Sequence, residues 1–169
     1  MESETLFSEL AANAKRFSAL VDDVSSEQGL WKPTPESWSI LEVLCHMLDE
    51  EKEDFRVFLD FTLHRPGEPR PKIKPEAWVS ERKYNEKNLA ESLREFQAAR
   101  ESSLTWLRGL SSPDWEAQYE APWGTIRAGD ILASWVAHDL LHTRQVLKLH
   151  WAYTLVQSNP YGVEYAGNW

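Results

Sequence analysis

His138 and His142 stand four residues apart in the run Trp135-Val136-Ala137-His138-Asp139-Leu140-Leu141-His142. In a helix that spacing puts both imidazoles on one face, with Cβ atoms about 5 to 6 Å apart. A nitrogen from each can then approach one cation at about 2.0 to 2.1 Å. His46 supplies a third candidate, one turn after Val43 and one turn before Glu50, in the middle of another apolar stretch. A lone inward histidine is usually a satisfied core residue. Three of the five histidines in the chain, all at inward positions, are better explained as ligands, because a buried polar group without a partner costs roughly 1 to 3 kcal/mol. Three neutral imidazoles leave a divalent ion with its full charge and an open position, where the pKa of a bound water or thiol falls. Zinc, nickel and iron all accept such a set. Acid should empty it, because only neutral imidazole binds.

Other side chains are candidates around this centre. Glu50, one turn past His46, could be a further ligand, an orienting partner or a catalytic base; the plainer reading makes it one of the solvated acids of Asp49-Glu50-Glu51-Lys52-Glu53-Asp54. Arg100 falls on an inward stripe between Phe96 and Leu104, where a guanidinium needs a carboxylate, either internal or belonging to a substrate. Gln145, one turn past His142, suits the orientation of a ligand ring. Trp135, Trp78 and Trp123 could wall a substrate pocket. Cys45 points away from His46 and reads as core filler; His64 and His150 read as surface or structural. The run His138-Asp139-Leu140-Leu141-His142 approximates the zinc-protease pattern H-E-x-x-H, but its second position is Asp and no third ligand follows.

Four helices must carry these residues. Apolar spacings of three and four predict the first over about Glu2 to Val24 and the second from Ser37 or Ser39 to before Pro66. The third is expected from about Asn88 to Leu110 and the fourth from about Ala128 to Tyr153. The connector holding Trp31, Pro33 and Pro35 and the segment Trp115 to Gly124 read as loops, with a short helical turn near Trp78 to Tyr84. No alternating β pattern appears, so the expected fold is all-α, a four-helix bundle with long crossover connections. Residues 1–169 read as one domain, with 154–169 an aromatic tail that packs on the bundle or on a partner chain.

The charge narrows the partners. A net charge of −9, from 27 acidic and 18 basic residues, argues against nucleic acid, which needs a clustered basic face. No apolar window is long enough to span a membrane. One cysteine permits no internal disulfide. Together with the absence of a secretory pattern at the start, this points to the cytoplasm.

Ser25-Ser26-Glu27-Gln28-Gly29-Leu30-Trp31-Lys32-Pro33, Ser37-Trp38-Ser39-Ile40-Leu41-Glu42-Val43-Leu44-Cys45-His46 and Ala137-His138-Asp139-Leu140-Leu141-His142-Thr143-Arg144-Gln145-Val146 resemble the DinB-like family. The resemblance runs from about Leu6 to Tyr153. It implies a bundle in up-down-down-up order, often homodimeric, with the family's metal ligands falling on His46, His138 and His142 and with zinc or nickel bound. It also implies a thiol-dependent transferase in which a low-molecular-weight thiol attacks a small electrophile. A metal-dependent hydrolase using a bound hydroxide, with Glu50 as base, and a non-catalytic metal-binding stress-response module are the other expectations.

Overall fold

The computed structural model describes residues 3–167. The expected starting residue of the first helix, Glu2, and the last two residues of the tail lie outside that range. Among the described residues seven α-helices form: α1 (Ser3–Ala19), α2 (Ser26–Leu30), α3 (Ile40–Glu50), α4 (Arg56–His64), α5 (Pro75–Glu81), α6 (Leu89–Gly109) and α7 (Ala128–Gln157). A π-helical turn, Glu51–Phe55, joins α3 to α4 without a break, so the four long rods are α1, α3–α4, α6 and α7.

Contacts between the rods set their directions. Asn13 Nδ2 donates to Val136 O at 3.2 Å, and further along the same pair His150 Nε2 meets Leu20 O at 2.7 Å, so α1 and α7 run parallel. Phe17 packs on Phe96 while Arg100 reaches Leu10 O, so α6 runs against α1. Cys45 pairs with Ser92 and Arg56 with Ser102, so α3–α4 runs with α6. The order is therefore up-down-down-up. The parallel middle pair requires a long crossover, and residues 65–88 supply it with Pro66, Pro69, Pro71 and Pro75, which keep the strap from continuing the helix.

α3 lies at the centre. All eleven of its residues are buried, and its start is closed on itself: Ser39 Oγ accepts from Glu42 N while Glu42 Oε2 accepts from Ser39 N. That reciprocal cap contributes on the order of 1 kcal/mol and sets where the helix begins. Burial on every side means that each polar residue of α3 must find a partner inside the protein. Glu42 takes Lys32 and Asn85; Asp49 takes the Tyr84 hydroxyl at 2.6 Å and Arg82 at 2.7 Å. The apolar core lies in one layer around Leu10, Leu59, Ile131 and Trp135 and a second around Phe17, Leu44, Phe96 and Val146.

Several expectations are corrected here. The segment expected as loop contains an antiparallel hairpin, β1 (Gln118–Ala121) and β2 (Gly124–Arg127), with Tyr119 opposite Ile126 and Ala121 opposite Gly124. Part of the first connector is helical, because Ser25 Oγ accepts from Gln28 N and caps α2. α7 runs to Gln157, four residues beyond Tyr153. Tyr161 and Tyr165 of the tail are exposed. No described helix is long and apolar enough to cross a membrane.

Candidate metal centre

His46 comes to the site from α3, and His138 and His142 from successive turns of α7. One nitrogen from each ring lies within 4.8 Å of the other two. Ring centroids are 4.7 Å apart for His46–His142, 5.5 Å for His46–His138 and 4.4 Å for His138–His142. The antiparallel packing of α3 on α7 does this, placing residue 46 level with the turn from 138 to 142.

Three features fit a cation. First, His142 Nδ1 sits 2.7 Å from Gln145 Oε1. An amide oxygen only accepts, so Nδ1 carries the hydrogen and the Nε2 lone pair is left to face the cluster. Second, the Nε2 atoms of His142 and His138 are 3.1 Å apart, two potential lone-pair donors turned to the same point. Third, His46 Nδ1 is buried without a hydrogen-bond partner, whereas Glu42 and Asp49 of the same helix are satisfied. A divalent ion shared by the three rings accepts the facing lone pairs of the cluster.

The electrostatics agree. Burial pushes the His46 imidazole down from 6.5 to about 3, with His142 adding to the effect. Burial and the two neighbouring rings push His138 to about 3 as well, and burial lowers His142. All three are neutral, and competent to ligate, at physiological pH.

Glu50 is 5% exposed, so it does not belong to a solvated run. Its Oε1 lies 4.0 Å from His46 Nδ1. Burial first, and then a hydrogen bond with Asp54, hold its carboxyl well above the ordinary carboxylate range. Asp54 in turn pairs with Arg70 from the crossover strap.

Arg100 and Trp135 stand elsewhere than on a pocket wall. Arg100, 2% exposed, donates to both oxygens of Asp139 at 2.6 and 2.8 Å, to Glu51 Oε2 at 2.8 Å and to Leu10 O. Its carboxylates are internal, the first of the two alternatives that its inward position leaves open. Trp135 is 1% exposed and donates Nε1–H to Glu51 at 2.9 Å. Trp78 is buried under Arg82. Trp123 is exposed at the tip of the hairpin, beside a cavity of about 300 Å³ that Phe55 separates from His138.

Sequence reasoning missed Asp139, Glu51, Trp38 and Phe55. Asp139 had a legible signal, since Leu132, Val136, Asp139 and Val146 make one apolar stripe with a single acid in it. Trp38 packs on His46 at 5.0 Å and lines a cavity of about 610 Å³ that reaches His142 and Gln145.

Two outcomes follow from this geometry. Gln145→Ala should weaken divalent-ion binding about 10- to 100-fold, read by competition with a chromogenic chelator, because the ring it orients is then free to turn. An unchanged affinity would remove the orienting role. The metal-free protein should be most stable near pH 6.5. Below that value the unfolded chain protonates histidines that the folded chain keeps neutral, so stability falls towards pH 3. Glu50 works the other way: the folded chain keeps a proton that the unfolded chain releases, and this contribution is lost as pH rises through its raised value. Three imidazoles outweigh one carboxyl on the acid side. Thermal unfolding of chelator-treated protein across pH 4 to 9 reads the profile, and a metal-free protein that gains stability between pH 6 and 4 would contradict it.

An up-down-down-up bundle with three imidazoles converging between two of its rods defines a helical-bundle protein with a histidine cluster built to hold a metal. The comparisons agree: the chain matches the DinB superfamily over residues 9–146, and it belongs to that superfamily. Among solved structures it is similar to YfiT from Bacillus subtilis, described as a probable metal-dependent hydrolase with an unusual four-helix bundle topology. The two share 16% sequence identity over 86% of this chain and 84% of that one, with a TM-score of 0.76. No curated protein matches the chain.

Proposed function

We propose that the protein is a metal-dependent enzyme that transfers a low-molecular-weight thiol to a small electrophile. His46, His138 and His142 hold one divalent ion, zinc or nickel, with iron a third candidate. The observation that carries the reading is the convergence of three neutral imidazole nitrogens within 4.8 Å. The donor set brings no negative charge, so an anionic ligand such as a thiolate complements it. When bound, the ion lowers the pKa of a thiol or water beside it.

The chain's own residues do the rest. Gln145 keeps the His142 lone pair aimed, and Trp38 seals His46 from bulk water. The thiol gives its proton to solvent water, and its sulfur forms the new bond to the electrophilic carbon. The bond from that carbon to the leaving group breaks with its electron pair going to the leaving group, which takes a proton when it is basic. Glu50 holds a proton beside His46 at neutral pH, which suits it to protonate a basic leaving group and then to regain a proton from solvent. Metal content by elemental analysis tests the first half, with about one ion per chain expected. Conjugation of L-cysteine to 1-chloro-2,4-dinitrobenzene tests the second. Activity that survives removal of the metal by a chelator would falsify the mechanism.

Hydrolysis is the second reading, favoured by the description attached to the similar fold and by the position of Glu50 as a proton carrier. Ester hydrolysis that needs metal but no thiol would select it, and an unchanged rate in Glu50→Gln would remove Glu50 from either scheme. The working form in this reading is a cytoplasmic homodimer of one-domain chains. Its support is the exposed apolar row Leu140, Leu141, Leu147 and Leu155 on α7 together with the exposed tail tyrosines. Sedimentation equilibrium tests it.

A further inference from the structure

The cavity of about 610 Å³ beside His142 is apolar along Trp38 and Trp151 and carries one charged side chain of each sign, Glu36 and Lys148. Neither makes an ion pair with a described residue, although both face the same space. Glu36 comes from the connector before α3, and Lys148 stands on the stripe of α7 that already holds His142 and Gln145. Six residues separate His142 from Lys148, about 9 Å along the helix, and side chains on a helix lean towards its N-terminus, here towards the histidines. In a chain of net charge −9 the general field repels anions, so a cavity that receives one needs a cation of its own.

We propose that this cavity binds a small amino-acid-type zwitterion, with Lys148 taking its carboxylate, Glu36 its ammonium and the indoles of Trp38 and Trp151 its apolar part. The side chain of the ligand then points along α7 to His142. Two opposite charges on an aromatic wall favour a molecule carrying both, because each complementary charge–charge contact adds its own contribution to the binding free energy. The inference rests on the reading above that His142 belongs to a reactive centre, and it names the substrate class of that centre.

The probe is S-methyl-L-cysteine, which carries both charges and no thiolate to ligate a metal, so binding can be read on metal-free and metal-loaded protein alike. Indole N–H resonances of Trp38 and Trp151 report its titration. The zwitterion should bind about tenfold or more tightly than its methyl ester or its N-acetyl derivative, each of which lacks one charge. Lys148→Met should abolish the preference over the ester, and Glu36→Gln the preference over the N-acetyl compound. Both residues are exposed, and unchanged melting temperatures confirm that the variants fold. No saturable shift at the two indoles, equal binding of all three compounds, or discrimination at one end only would overturn the proposal. Elemental analysis of the same samples judges the metal reading separately: a protein that binds the zwitterion without retaining metal sinks that reading and overturns the zwitterion as its substrate class, leaving only a binding cavity.

Discussion

His138→Ala is expected to take the purified protein from about one bound divalent ion per chain to almost none. Three nitrogens share the ion in this reading, and loss of one leaves a two-ligand site. Changes to residues that only orient a ligand already cost about 10- to 100-fold in affinity, so loss of the ligand itself should cost more than that. The effect extends to stability. A metal present at about 1,000 times its dissociation constant stabilises the folded state by about 4 kcal/mol, and the variant forfeits this. Wild-type protein should therefore melt well above His138→Ala when metal is added, while the two melt close together after chelation. His150→Ala is the control. His150 Nε2 is bonded to Leu20 O and Nδ1 to Gln28, so its loss should lower the melting temperature with or without metal and leave metal content unchanged. Equal metal content in wild-type and His138→Ala protein would remove the site.

Arg100→Ala should produce the largest loss of stability in the absence of metal. Its guanidinium, closed off from solvent, holds Asp139 through two hydrogen bonds and Glu51 through a third contact. Removing one partner of a buried ionic group costs about 3 to 5 kcal/mol, because the remaining charges are left unpaired in low dielectric. At roughly 2 to 4 °C per kcal/mol for a chain of this size, the melting temperature should fall by roughly 6 to 20 °C. The triple change Arg100→Met, Glu51→Gln, Asp139→Asn should recover part of this, since it removes the charges together. Arg100→Ala should also lose less at acid pH, where the Asp139 carboxyl, pushed up by burial, can protonate. A variant with an unshifted melting temperature and a raised KM would instead return Arg100 to the substrate.

Much of this protein could be read without coordinates. The rods of α1, α6 and α7 follow from apolar spacings of three and four, and the pair His138 and His142 is local: four residues on one helix are neighbours whatever the rest of the chain does. His46 stood out because a histidine amid Ile40, Val43, Leu44 and Met47 has nowhere polar to go. The hairpin escaped notice because only one cross-strand pair, Tyr119 with Ile126, is turned inward, too short a stretch for alternation to register. The π-helical turn left no trace either, since one extra residue in a helix changes which side chains face inward but not the apolar composition.

Which residues are able to ligate, which helices carry them and at what spacing along each are local properties of the chain, because helix geometry links residue number to direction within a single element. The remainder depended on how the rods pack: that α3 is enclosed on every side, that Arg100 pairs with Glu51 and Asp139, and that Trp38, Glu36 and Lys148 border one cavity. Those facts depend on how rods are placed beside one another, and pairs such as Glu51 with Arg100, distant along the chain, become neighbours only when the core closes.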